Sequence, residues 1–180
     1  MKTVAISERL GLVYRRWALR RRIDTPAEVV KVAMANVRRT KYCMFVTETE
    51  HGPAARVLEP FRPTRDGLIQ FGTDPTSRKI ADIVRTGRCL LVYQGAVSCV
   101  SLECDATIED WPAAGLPRFK PSWRAFWPAG PDRSDYIVVT CRPTAMEVWD
   151  GRAVVAPGSF GLRSLRLEQT AGEWHPAAPQ

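Results

Sequence analysis

The sequence predicts a mainly β domain with α-helical additions, an α+β arrangement whose six strands close as a barrel or sandwich. Three observations lead there. After Lys41 the apolar residues recur in short runs broken by turn residues, the pattern of strands. Two helix-like segments precede those runs and a third interrupts them. The chain's 180 residues, 45% apolar and 25% charged, suit one core of ordinary size, too hydrophobic for disorder and too short for two full domains. No apolar run approaches the roughly 20 residues of a membrane span, and no contiguous apolar signal core opens the chain. A cytoplasmic protein without a membrane span is expected.

In chain order, Ile6 to Arg22 reads as a helix with Leu10, Val13 and Trp17 spaced by three or four on a basic rod that ends in Arg20-Arg21-Arg22. The next helix is marked by Thr25 as N-cap, Pro26 in the first turn and Glu28 at the third position, a capping box. Val29, Val32, Ala33 and Val37 share its apolar face. Strands are predicted at Tyr42 to Thr47, Ala55 to Phe61, Leu68 to Thr73, Arg88 to Tyr93, Val97 to Glu109 and Tyr136 to Trp149. Between the third and fourth, Ser77 to Thr86 has the helical spacing Ile80, Ile83 and Val84, closed by Gly87. Between the fifth and sixth, residues 111–135 form a proline-rich insert holding Trp111, Trp123 and Trp127, with one short helix around Ser122 to Phe126. Leu162 to Trp174 alternates as a last strand and then turns at Ala171-Gly172 into a hairpin, ahead of a Pro/Ala-rich tail from Pro176. This organises the chain as a basic helical extension (1–24), a barrel domain (25–175) and a flexible tail (176–180).

The net charge of +7 is unevenly spread. Residues 1–42 hold eleven basic and three acidic side chains, or +8, which leaves fifteen basic and sixteen acidic, or −1, for the rest. The basic helix suits acidic lipid, nucleic acid or an acidic face of a partner subunit, or else lies solvated on the barrel. Nucleic acid is not the expected partner of the domain itself. Five cysteines, with no CxxC pair, suggest reduced thiols rather than a disulfide framework or a zinc site. Cys99 and Cys104, five apart on one strand, face opposite sides.

The chemistry concentrates in Phe71-Gly-Thr-Asp-Pro-Thr-Ser-Arg-Lys79, a strand that runs through Thr73 into a helix opening at Ser77-Arg78-Lys79. A helix N-terminus offers unpaired N–H groups and a positive dipole end. A hydroxyl, a guanidinium and an ammonium add charge-assisted donors, and together they suit a phosphate dianion. A plain capped helix with Arg78 and Lys79 solvated is the alternative reading. Upstream, Arg56 and Leu58 lie on one face of a strand and Val57 on the other, so Arg56 can reach a ligand seated at Ser77.

This arrangement resembles the FMN-binding split barrel of the pyridoxamine 5'-phosphate oxidase-like family, over residues from about Lys41 to Asp150. The long strand Cys99 to Glu109, the insert ending Trp127-Pro-Ala-Gly-Pro-Asp132 and the strand close Met146-Glu-Val-Trp-Asp150 are most similar to its general-stress-protein subgroup. The resemblance implies a six-stranded split β-barrel that forms a homodimer, with FMN in a groove at the subunit interface and oxidoreductase chemistry on a small organic substrate. By the same resemblance Arg56, Val57 and Leu58 line the FMN, Thr73 contacts it, and Ser77, Arg78 and Lys79 hold its phosphate. Two positions depart from the oxidase: Cys99 stands where it has a flavin-contacting glutamine, and Gly72 where it has an aromatic. The oxidase's C-terminal Arg/His substrate motif has no counterpart in Leu162 to Gln180, so vitamin B6 oxidation is not expected. Relatives of this family bind the deazaflavin F420 or haem instead, so a haem- or F420-binding enzyme or sensor/scavenger is one alternative, and a non-catalytic barrel whose basic N-terminus binds nucleic acid is the other. Only His51 and His175 are available as axial haem ligands, and no metal site is otherwise expected. Trp127 is the insert residue chosen to wall the cofactor, by stacking. No residue stands out as a general acid or base.

Overall fold

The protein is described by a computed structural model covering residues 2–109, 119–130, 135–155 and 163–177, with side chains from residue 7 onward. Trp111, Asp132 and residues 178–180 of the expected tail lie outside the described residues. Three helices, α1 (Lys2–Arg21), α2 (Pro26–Arg39) and α3 (Arg78–Thr86), accompany eight strands. These are β1 (Cys43–Thr49), β2 (Gly52–Leu58), β3 (Ile69–Thr73), β4 (Arg88–Gln94), β5 (Ser98–Glu109), β6 (Ile137–Asp150), β7 (Leu165–Thr170) and β8 (Glu173–Pro176). The six expected strands are present, and the last two form the expected C-terminal hairpin. The short helix of the insert is a 3₁₀ turn at Pro121–Ala125. Among the described residues no helix is long and apolar enough to cross a membrane.

All pairings are antiparallel, in the order β2-β1-β4-β5-β6-β7-β8, with β3 on β6. β6 makes this topology work. Its first half, Ile137 to Cys141, pairs with β3, and its second half, Ala145 to Val148, pairs with β7, while β5 runs along its whole other side. Between the halves the register with β5 slips beside Glu103 and Cys104, opposite Pro143 to Ala145. A proline cannot donate to a ladder, and a bulge removes the need. The slip also reverses the inward phase: Cys141 and Pro143 are buried before it, Met146, Val148 and Asp150 after it. β2 and β3 are thereby left as edges, and among the described residues they do not pair with each other. The barrel is split there.

β2 begins three residues earlier than expected and ends at Leu58 rather than Phe61. The two-residue turn Glu50-His51 lets Thr49 face Gly52 directly, and an edge strand tolerates Pro53. Pro60 and Pro63 lack the N–H needed to continue it. α2 starts at Pro26 after Thr25, but its capping box is made between side chains, Thr25 Oγ1 donating to Glu28 Oε2 at 2.5 Å. α2 buries Val29, Ala33 and Val37 against the barrel, and its buried Asn36 donates to Asp150 at the end of β6, 2.7 Å away. Asp150 also accepts the backbone N–H groups of Arg152 and Ala153, so one carboxylate ties helix, strand end and turn together. α1 is held by Tyr14, which donates to the Gly151 carbonyl, by the buried Ala18, and by the Ile23 N–H on the Val154 carbonyl. Its Leu10, Val13 and Trp17 remain exposed.

Candidate functional site

An open groove of about 590 Å3 occupies the split between β2 and β3. One wall is the end of β2, Val57 and Leu58, with Glu59 beyond; the other is Phe71, Gly72 and Thr73 of β3, with Asp74 and Lys79 at one end. Trp123, Phe126 and Trp127 close the side away from the sheet, and Tyr42 stands at its rim.

The polar end is built by the β3–α3 connection. Asp74 accepts the N–H and the hydroxyl of Thr76 at 2.7 and 2.6 Å, a turn that delivers Ser77 as the α3 N-cap. Those two bonds hold the Asp74 carboxyl below the usual range. The Ser77 side chain makes no capping bond; its hydroxyl lies 3.4 Å from that of Thr73. Lys79 Nζ donates to the same Thr73 oxygen at 2.8 Å. Lys79 is half-buried and makes no ion pair among the described residues. Burial first, and the nearby Arg56 second, pull its ammonium below the ordinary lysine range, against a smaller opposing effect of Asp74. The first turn of α3 has no acidic residue. A half-buried ammonium, two hydroxyls and the start of a helix therefore converge with no counter-charge in contact.

Arg56 and Arg78 stand elsewhere than the sequence suggested. Arg56 donates to Thr47 Oγ1 at 2.7 Å and pairs with Asp82 of α3 at 3.1 Å, so it fastens α3 to β1 and β2 and acts on Lys79 through its field. Asp82 is held low by the Thr47 hydroxyl and by Arg56. Arg78 is exposed and does not line the groove. Val57, exposed at 64%, and Leu58 do line it, as do Thr73 and Trp127, while Ser77 adjoins it through Thr73. Cys99 does not: it sits on the outer face of β5, opposite Gln94 and Trp149. It is half-buried, and Cys43, Cys89, Cys104 and Cys141 are buried and free; burial pushes Cys43 up to about 11. His51 lies exposed in the β1–β2 turn and His175 exposed on β8, and neither lines the groove.

The aromatic wall explains the glycine at 72. A Cβ there would fall 2.3 Å from the Tyr136 hydroxyl and 2.4 Å from its ring. Tyr136, 1% exposed, lies across the β3 backbone and fills the space that a side chain at 72 would take. Trp127 meets it edge-on at 5.1 Å, Trp123 packs on Trp127 at 6.0 Å, and Phe61 packs on Trp123 at 5.0 Å. Lys120 spans the end of this wall, 5.1 Å from the Trp123 ring centre and 2.9 Å from Glu59 Oε1. Burial works against the Glu59 carboxylate, but Lys120, Trp123 and Lys41 outweigh it and hold its pKa low. Tyr136, Glu59 and Lys120 were not singled out from sequence. Tyr136 sits one residue before β6, and only the β3–β6 register brings it over Gly72.

No family profile matches the chain, and no curated protein does so by sequence. Solved structures do. The protein aligns with a pyridoxamine 5'-phosphate oxidase-related, FMN-binding protein of Nostoc punctiforme at a TM-score of 0.62 and 18% identity, over 87% of this chain and 98% of that one. A protein from Clostridium acetobutylicum related to general stress protein 26 gives 0.64 and 13%, over 80% and 96%. PhzG of Burkholderia lata, solved with tetrahydrophenazine-1-carboxylic acid, gives 0.56 and 17%, over 86% and 89%. At such identities the likeness establishes the fold: this chain has the split barrel of the pyridoxamine 5'-phosphate oxidase-like proteins.

Proposed function

We propose that the protein is an FMN-dependent oxidoreductase acting on a small organic substrate, with the cofactor held at the interface of a homodimer. The observation that carries this reading is Lys79: a half-buried ammonium with no carboxylate in contact among the described residues, at one end of a groove walled on one side by aromatic rings. Withdrawing a charge partly from water with only a neutral hydroxyl as partner is costly, and a phosphate dianion there relieves the cost. The donor set fits the phosphate of FMN: Lys79 Nζ, the Thr73 and Ser77 hydroxyls, and the N–H groups of the first turn of α3. The groove volume falls within the range of small-molecule sites, about 300 to 1,000 Å3. Trp127 offers a flat surface to a ring system, and Glu59, held by Lys120, a polar end. FMN supplies the transfer of a hydride or of electrons; the chain binds, orients and shields. The neighbour that binds FMN and the one that binds a tricyclic carboxylic acid use the same fold, which supports the reading.

The dimer is supported by the outer face of the sheet. Met44 and Val57 face each other across β1 and β2, Val92 follows on β4, and Trp149 and Val97 lie at the far end, with Met44, Val57, Val97 and Trp149 exposed.

The test is the visible spectrum of the purified protein, with mass identification of whatever is released on denaturation. A flavin spectrum with FMN released is expected. F420 in its place keeps the phosphate seat and changes the reaction; a Soret band, or failure to take up added FMN, overturns the proposal.

A further inference from the structure

Away from the split, α2, the turn at residues 65–67, β6 and the β7–β8 hairpin enclose a second cleft of about 430 Å3. Lys31, Arg38, Arg65 and Arg142 stand around it, all exposed. None of the four makes an ion pair or a side-chain hydrogen bond among the described residues, and Asp66 is the one carboxylate that lines the cleft. Its floor is apolar: Met146 is 1% exposed, and Val30 and Trp174 pack on the core. The near-neutral charge sum of residues 43–180 conceals Arg65 and Arg142, which the fold gathers with Lys31 and Arg38 of α2 from well-separated segments. A merely solvated surface intersperses both signs. Here like charges are held together at the mouth of an apolar-floored cavity, where each raises the potential felt by an anion.

We propose that this cleft binds a phosphorylated small molecule bearing a flat ring, a nucleotide, at a site separate from the groove between β2 and β3. Three guanidinium groups match phosphate oxygens in bidentate fashion, and a lysine adds a point charge, a set suited to more than one phosphate. Trp174 and the two methionines, Met34 and Met146, supply a pliable apolar surface for the ring. Through Arg38 the positive rim continues to an adjoining cleft with Arg39, Lys41 and Arg62, room for a longer phosphate chain.

The test is calorimetric titration of the full chain with ATP, ADP, AMP, inorganic pyrophosphate, adenosine and a short single-stranded oligonucleotide. Affinity is expected to rise with phosphate count, and adenosine to bind least. Arg65→Ala and Arg142→Ala should each weaken ATP about tenfold, the order of one charge-assisted contact. Trp174→Leu should weaken ATP and leave pyrophosphate unchanged. Lys79→Ala should leave ATP unchanged, which separates this site from the groove. Both arginines are exposed, so their loss should not disturb folding, checked by circular dichroism. No binding at about 1 mM, indifference to Trp174, or far tighter binding of the oligonucleotide overturns the proposal, the last in favour of a nucleic-acid surface.

Discussion

The two clefts present their cations in opposite ways. In the split groove one ammonium, Lys79, is half withdrawn from water and aimed by a strand and a helix start. In the cleft under α2 four cations stand in solvent with no ion pair or side-chain hydrogen bond among the described residues. Charges interact more strongly where water is excluded, so a single buried group can match several exposed ones, and it is screened less by salt. The comparison teaches that a sum over sequence is a poor guide to binding: the +8 of residues 1–42 includes Lys31 and Arg38 but misses Lys79 altogether. Raising the salt from low to physiological strength should therefore weaken ATP at the α2 cleft more than FMN at the groove, compared by titration at each strength.

The largest effect should come from Val57→Glu. This side chain lies on the open sheet face beside the groove. An unpaired carboxylate buried in an apolar interface costs on the order of 3 kcal/mol or more, over a hundredfold in dimer affinity. Light scattering should read a monomer, and the monomer should lose FMN while keeping ATP. A variant that stays dimeric with FMN bound would place the interface on another face.

Next comes Gly72→Val. The added carbons would overlap Tyr136, and overpacking of this kind costs about 1 to 3 kcal/mol. Urea unfolding should shift by that amount, FMN uptake should fall, and Tyr136→Ala in the same chain should restore part of the stability. Unchanged unfolding of the single variant would mean that the aromatic wall yields without cost.

Lys79→Ala should weaken FMN about tenfold or more, one charge-assisted bond lost. Its pH dependence carries a sign. In the free protein burial lowers the Lys79 pKa, and a bound dianion raises it again. Affinity due to Lys79 is thus complete below the lowered free-state value and is lost as pH rises through the bound-state value. At the acid end the phosphate must reach its second ionisation near about 6. Wild-type affinity should fall on the alkaline side, and Lys79→Ala should abolish that fall alone; the same alkaline decline in both proteins would assign it to another group.

How much of this was legible beforehand depends on the range of the interaction. The segment Phe71 to Lys79 could be read because its parts are neighbours in sequence: the strand, the turn at Asp74 and the helix start are set by local chemistry. Val57 and Leu58 were implied by the family resemblance; strand alternation alone sets Leu58 with Arg56 on one face and Val57 on the other. Tyr136 could not be read, since its meeting with Gly72 depends on the pairing of β3 with β6 across more than sixty residues. Arg56 was placed in the right neighbourhood but not in its bond, because the choice between a ligand and Asp82 is made by the packing of α3. The cleft under α2 was invisible for the same reason.

The smallest effect discriminates most finely, because it separates adjacent residues. Arg78 and Lys79 look equivalent in the sequence, two cations opening one helix. In the structure Lys79 turns into the groove and Arg78 into solvent. A cation in the first turn opposes the helix dipole by roughly 0.3 to 1 kcal/mol, and α3 has no acidic residue there to offset it. Arg78→Glu should therefore stabilise the ligand-free protein slightly, a rise in Tm, while lowering FMN affinity only two- to fivefold through its field, the order of an exposed charge. Lys79→Glu should cost far more affinity. If Arg78→Glu instead matches Lys79→Glu, the guanidinium reaches the phosphate directly, and the helix start rather than the buried ammonium is the centre of the site.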